Sequence, residues 1–329
     1  MISTVRPPGD APSGFPFIRE RADPQFFRSA GQWHFLSTDD RDGDNEHSPH
    51  LIIRSSATVA GLASASDIEL LRAGDVGLTG CFWAPEAHVI GGRLRIFFSP
   101  SVDGDEWTFV QSHIMTLRLD GDPAVPADWG DPIRVSLRNG RPLQTSGEGI
   151  SLDMTLLRVR DDHYVIWSQR QVRPTVAPAE LWIALIDPRS PERLVGDPSR
   201  ILAPQLPWEG EVLEGPAALV EGGQVHLAYA AGAVGPDYVT GVATAPMDAD
   251  LLDRSSWRRR PEPALDNSTV FGEFGPGHVS FTHIDDQLWM AYHAMTGRAA
   301  GPRHAGLRRV GFSTRGRLEL SPPATRGES

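Results

Sequence analysis

Five times along the chain a polar or charged residue is followed by an apolar run, a tight turn and an aromatic-rich strand. The units begin at Asp23, Glu86, Asp153, Glu214 and His278, in steps of 63, 67, 61 and 64 residues. Their returning strands lie at 31–36, 92–98, 162–167, 223–229 and 286–292. A unit of several short strands cannot bury its faces alone, so a long fixed period of this kind points to repeats stacked around an axis. The expected fold is all-β: a five-bladed β-propeller with four-stranded antiparallel blades. In such a ring the five opening residues occupy equivalent radial places, which brings four acids and a histidine together near the axis.

The repeat also decides the domain count. It fills the 329 residues, so residues 21–320 read as one propeller domain after an irregular lead-in, 1–20, with a frayed tail, 321–329. Turns are expected at Ala30-Gly31, Gly91-Gly92, Asp161-Asp162, Gly222-Gly223 and Asp285-Asp286, residues that tolerate positive φ or cap a hairpin. The 33 Gly and 28 Pro suit such a fold. The stretch 60–71 has some helical character, but Gly61 and its serines weaken it, and it reads as an outer strand with at most one helical turn.

A net charge of −11 disfavours nucleic acid and anionic membrane surfaces, which require a basic patch, and no apolar run is long enough to span a membrane. A neutral or cationic ligand fits this charge better. The single cysteine, Cys81, excludes an intrachain disulfide, a dithiol pair and a cysteine-ligated zinc site, and its apolar surroundings suit a buried structural thiol. No basic segment followed by an apolar one opens the chain, which implies a cytoplasmic protein if Met1 is the native start and a secreted one if a signal peptide has been removed. P-loop, dinucleotide and H-E-x-x-H motifs are absent.

Three of the opening residues, Asp23, Asp153 and Glu214, are carboxylates set in different blades. At one end of the axis they would repel one another unless their protonation differed. One ionised and one protonated carboxyl is what glycoside hydrolysis with inversion requires: a base for water and an acid for the leaving oxygen. The competing role for each is structural, capping a strand or a turn.

At these residues the chain resembles glycoside hydrolase family 43, five-bladed propellers that cleave arabinofuranosides and xylosides. Arg21-Ala22-Asp23-Pro24 is similar to the family's opening Asp-Pro motif, Trp83-Ala84-Pro85-Glu86 to its W-A-P-E signature, Glu214-Gly215-Pro216 to its E-G-P motif and Gly275-Pro276-Gly277-His278 to its G-P-G-H motif. The motifs stand in family order and, with the repeats, cover residues from about 21 to 312. Residues 52–62 and Pro207-Trp208-Glu209 look most like the branch of exo-acting α-L-arabinofuranosidases.

The resemblance implies an inverting exo-glycosidase with Asp23 as general base, Glu214 as general acid and Asp153 as the group that holds the acid's pKa up. It implies a sugar-binding floor at Trp83, with a core tryptophan as the rival reading, and a supporting role for Glu86, bonding across blades. His278 resembles the axial histidine that organises water or a metal, commonly a structural calcium in the channel, and Arg303 an arginine that contacts the substrate or the base, with Arg298 as competitor. The chemistry requires no cofactor. Two departures touch the last blade: Val279 follows the histidine where Asn is common, and Arg308 stands where relatives carry Gln. The implied ligand is an arabinose- or xylose-containing oligosaccharide or polysaccharide. The same motifs leave room for a β-xylosidase and for a non-catalytic carbohydrate-binding propeller. A scaffold propeller would carry per-blade Gly-His and Trp-Asp dipeptides, which this chain lacks.

Overall fold

A computed structural model describes residues 13–41, 43, 48–299 and 301–321. Five four-stranded antiparallel sheets dominate it. Blade one contains Arg21–Ser29, Gln32–Asp39, His50–Ser56 and Ile68–Arg72; blade two Gly80–Ile90, Arg93–Ser101, His113–Thr116 and Ile133–Arg134. Blade three contains Gly149–Val159, Asp162–Gln171, Glu180–Ile186 and Ser199–Leu202; blade four Leu213–Glu221, Gln224–Ala231, Val239–Pro246 and Arg258–Arg259. Each runs outward from its first strand in chain order. Successive first strands touch one another around the ring, and that of blade five returns to that of blade one.

Blade five is assembled differently. Phe274–Ile284, Gln287–Met295 and His304–Arg309 take their fourth, outermost strand from the other end of the chain, Gly14–Ile18. The lead-in read from the sequence as irregular therefore contains the strand that completes the last blade. Its apolar residues explain this: Ile18 is buried and Phe17 packs with Phe26 in the core shared by blades five and one. The tail beyond 321 lies outside the described residues.

The hydrophobic cores lie between blades. Leu36, Ile53, Phe82 and Phe98 join blades one and two; Phe97, Met154 and Trp167 join two and three; Leu157, Ile183, Leu213 and Leu227 join three and four; Ala228, Val242, Met290 and Tyr292 join four and five. Each sheet is thus apolar on both faces, which is why its strands read as aromatic and aliphatic runs more than as clean alternation. Turns fall where expected at Ala30-Gly31, Gly91-Gly92, Gly222-Gly223 and Asp285-Asp286, with both residues at positive φ. In blade three the turn is one residue earlier than expected, at Arg160-Asp161, with Arg160 at φ 55°. The stretch 60–71 yields one helical turn, Val59–Leu62, capped by Thr58, before the outer strand. Cys81 is buried.

Two blades share a buried polar device. In the turn Pro207–Glu209, the Glu209 carboxylate is fully buried and accepts hydrogen bonds from the Gln205 and Leu206 backbone nitrogens at 2.7 and 2.8 Å, from Tyr229 Oη at 2.7 Å and from Arg259 Nη1 at 2.8 Å. Blade five repeats it with Glu273, Tyr292 and Arg308. Removing one partner of a buried ion pair leaves the rest uncompensated, which costs about 3–5 kcal/mol. Glu209→Ala is therefore expected to lower the unfolding free energy by about that amount, read as a fall in the urea midpoint at an unchanged slope.

Candidate active site

The first strand of every blade carries a bulge at the same place. Between Ala22 and Gln25, Trp83 and Glu86, Leu152 and Thr155, Glu214 and Ala217, and Gly277 and Ser280, two residues face one on the neighbouring strand. The first residue of each bulge has positive φ: Asp23 at 49°, Ala84 at 46°, Asp153 at 57°, Gly215 at 50° and His278 at 49°. These are the equivalent positions of the ring. The sequence repeat placed Asp23, Asp153 and His278 correctly but set Glu214 one residue early and Glu86 two residues late. It also placed them at strand starts, whereas each lies inside a strand, because the bulge interrupts the alternation and makes the apolar run seem to begin after it.

A bulge leaves a backbone N–H without a partner in its own ladder. Four of the five are accepted by the preceding blade. The N–H of Ala84 donates to Thr38 Oγ1 at 2.8 Å, that of Asp153 to Ser99 Oγ at 3.2 Å, that of Gly215 to Asp153 Oδ2 at 3.0 Å and that of Asp23 to His293 Nδ1 at 3.2 Å. This stitching fixes the inner ends of the blades, and a cavity of about 60 Å³ opens there. Asp23, Asp153, Glu214, Trp83, His278 and Arg303 line it. These six candidates from the sequence are thus in one place, with bulge residues supplied by blades one, three and five and the residue just before the bulge by blades two, three and four.

Asp23 is surrounded by basic groups, among which burial pushes His293 itself down to about 4, so that it stands there as a neutral imidazole. Its Oδ1 lies 3.1 Å from His278 Nδ1, 3.0 Å from His293 Nδ1 and 3.4 Å from Arg303 Nη1, and its Oδ2 accepts from Thr38 Oγ1 at 2.5 Å. Burial alone favours the neutral acid, but His278, Arg303 and His293 together hold the carboxyl well below the usual carboxylate range. Arg303 is itself clamped: Asp40 accepts from its backbone N–H at 2.6 Å and from Nε and Nη2 at 3.2 and 3.1 Å. Its competitor, Arg298, is exposed and pairs with Asp237 away from the cavity.

Asp153 and Glu214 sit in the opposite regime. Burial pushes Asp153 up to about 7, with Glu214 and Asp23 adding to the rise and His278 opposing it. Burial likewise raises Glu214, against a hydrogen bond from Tyr238 Oη to its Oε1 at 2.6 Å and the charge of His278. The two titrate as a pair that keeps a proton above the ordinary carboxylate range. Burial disfavours charge on His278, yet Asp23, Asp153, Glu214 and Glu86 raise its pKa, so it offsets part of the acid cluster.

Two glycines of the motifs have steric reasons. A Cβ on Gly215 would meet the His278 ring at 2.9 Å, so this bulge alone carries no side chain. A Cβ on Gly277 would lie 2.5 Å from the ring of Tyr238, the residue that holds Glu214. Tyr238 also stacks on His293, with centroids 5.5 Å apart and planes 12° from parallel. Thr38, Asp40, Tyr238 and His293 were not singled out from the sequence. His293 could have been, since it pairs across the strand with Gly277 of the G-P-G-H motif. Glu86 bonds within its own strand, to His88 Nε2 at 2.7 Å, and not across blades.

The profile described as "Glycosyl hydrolases family 43" matches residues 15–317. The chain belongs to glycosyl hydrolase family 43. It is 30% identical over 280 residues to an extracellular exo-alpha-(1->5)-L-arabinofuranosidase of Streptomyces avermitilis, covering 82% of this chain and 53% of that protein. It therefore spans about half the length of that relative. A protein of the same description from Streptomyces chartreusis is 30% identical over 294 residues, covering 87% of this chain and 84% of its own. Among solved structures, an alpha-L-arabinofuranosidase from Lactobacillus brevis aligns at TM-score 0.79 and 27% identity, covering 96% of this chain and 98% of its own.

Set against the family 43 motifs, the two departures of the last blade fall outside the cavity. Val279 is buried in the core between blades four and five, and Arg308 bonds Tyr292 and Glu273. Calcium takes six to eight oxygen ligands, and among the described residues no three His, Cys, Asp or Glu side chains are grouped to hold a metal. His278 turns its Nδ1 to Asp23.

Tyr238→Phe removes a donor that favours the charged form of Glu214, so the basic limb of any pH–rate profile should move upward; an unmoved limb would separate Tyr238 from the titration. Asp153 has a folded pKa of about 7 against about 3.9 unfolded, so its ionisation costs stability that is absent below the lower value and complete above the higher. Asp153→Asn should therefore gain stability relative to wild type as pH rises from about 4 to about 8, measured by urea unfolding across that range.

Proposed function

We propose that this protein is an inverting exo-α-L-arabinofuranosidase that releases terminal arabinofuranosyl units from arabinan or arabinoxylan oligosaccharides. One arrangement carries the mechanism: within one cavity, Asp23 lies against His278, His293 and Arg303, which hold its carboxyl well below the usual range, while burial raises Asp153 and Glu214. The names of the two Streptomyces relatives and of the Lactobacillus brevis structure support the sugar, and those of the Streptomyces relatives support exo action. Their description as extracellular supports action on polysaccharide outside the cell. Among the described residues no helix is long and apolar enough to cross a membrane.

In this reading water lies against Asp23. As its oxygen attacks the anomeric carbon, one of its protons passes to the Asp23 carboxylate. The glycosidic C–O bond breaks with its electron pair on the departing oxygen, which takes the proton of Glu214. The products are the free sugar with inverted configuration and the shortened glycan. Once Asp153 has lost its own proton, above about 7, its charge keeps the Glu214 proton in place by like-charge repulsion; Arg303 holds Asp23 anionic, and Trp83 forms a flat floor for the sugar. Any calcium in the channel would rest on His278 and solvent, and no step uses it.

Asp23→Asn and Glu214→Gln are each expected to lower kcat on aryl α-L-arabinofuranosides by about 10²–10⁴, the usual worth of a positioned acid or base. The loss in Glu214→Gln should shrink as the aryl leaving group becomes more acidic, because such a group departs without a proton, whereas that in Asp23→Asn should not. NMR of the first-formed anomer tests inversion, and a retained product would sink the role given to Asp23. Preference for an aryl β-xyloside would instead make the protein a β-xylosidase, and turnover of neither would favour a carbohydrate-binding propeller.

A further inference from the structure

A second cavity, of about 300 Å³, adjoins the first. The two share Trp83, Leu152, Glu214 and Val234, but only the smaller is bounded by Asp23, Asp153 and His278. Glu214 therefore stands between a chamber that contains the base and a roomier one that does not. A leaving group departs on the side of its acid and away from the attacking water. On the proposed function, on which this rests, we infer that the larger cavity is the leaving-group subsite, and that Arg170 and Trp107 select a neutral sugar residue there.

The walls carry the argument. Trp107, at the start of the short turn Trp107–Phe109, packs with Trp83 against the buried cluster of Cys81, Val110, Ile150 and Leu152, which holds both indoles in place before any ligand arrives. Arg170, next to last in the second strand of blade three, lies over the Trp107 ring with its Cζ 5.0 Å from the centroid. Stacking of this kind fixes the plane of a guanidinium and leaves its edge to donate. Its Nε is buried and has no hydrogen-bond partner among the described residues, so donation falls to the outer edge of the guanidinium. Arg170 lines the cavity, where that edge meets a sugar hydroxyl or ring oxygen. An apolar wall that includes Trp83, beside a planar donor fork held by Trp107, suits a pyranose or furanose, which offers C–H faces and hydroxyl edges. Burial disfavours the charge of Arg170 and Glu211 already offsets it, so the subsite suits a neutral sugar better than a second carboxylate.

The test compares two substrates with the same bond and the same need for an acid. Methyl α-L-arabinofuranoside leaves the subsite empty; (1→5)-linked arabinobiose fills it. Wild type should prefer the disaccharide in kcat/KM. Arg170→Ala and Trp107→Ala should each reduce that preference about tenfold, the scale of one hydrogen bond to a charged group. Arg170→Lys, which keeps the charge and most of the volume but loses the planar fork, should reduce it too and guards against a folding defect. Equal losses on both substrates in these variants would overturn the subsite, since a purely structural role, or an effect on Glu214 alone, does not depend on the leaving group. A wild-type preference for a uronate-bearing aglycone over arabinobiose would overturn the neutral sugar. A wild type that hydrolyses neither substrate would overturn the proposed activity and the subsite with it, an outcome distinct from intact hydrolysis with unchanged preference.

Discussion

The inner end of each blade is governed by one surplus residue. A bulge turns one side chain out of register and frees one backbone N–H, and in a ring that N–H cannot go to water without opening the blade interface. The preceding blade accepts it instead, through Thr38, Ser99, Asp153 and His293. Three of these acceptors, Thr38, Ser99 and His293, stand at the same place on the second strand, opposite Ala22, Trp83 and Gly277. The fourth is Asp153 itself, so that one of the acid groups of the cavity is also a link of the ring. The positive φ of Asp23, Ala84 and Asp153 is strain that this stitching maintains.

The same geometry divides the carboxylates into two kinds. Blade five supplies His278, His293 and Arg303, all directed at Asp23, and Asp40 of blade one pins Arg303 there. Among the described residues Glu214 has only the neutral hydroxyl of Tyr238 as a hydrogen-bond donor, and Asp153 only the N–H of Gly215. Like-charged groups this close cannot all ionise. The one with cations does so, and the pair with neutral donors keeps a proton. Tyr238 and His293, stacked on each other, form the shared wall between the two regimes, which explains why Gly277 must leave room for the tyrosine ring.

Much of this was legible in the chain. The period of the apolar runs gave the ring and its blade count because an interblade core needs the same faces in every unit. The motifs around Asp23, Trp83, Glu214 and His278 gave the cavity lining because they are local: each is a bulge with its flanking residues. Glu86 was misread for the same local reason. It ends a motif, but it stands two positions past the first bulge residue, and its carboxylate turns to His88. Thr38, Asp40 and Tyr238 carry no motif. Asp40 and Tyr238 matter through strands that meet only when blades one and five close and when blade four packs on blade five, and Thr38 through the packing of blade one on blade two. Nor did Gly14–Ile18 show a repeat signal, since it completes a blade whose other strands lie more than 250 residues away.

The sequence by itself determined that the chain folds as repeated antiparallel units, that three carboxylates and a histidine recur at their inner ends, and that the chain resembles family 43. These follow from patterns a few residues long repeated at a fixed period. Only the tertiary structure decided which carboxylate is ionised, which arginine stands beside it and where the bulges place the equivalent positions. A pKa depends on charges brought within a few ångströms by ring closure, and bulge register depends on the partner strand, so neither is written in any single stretch of the chain.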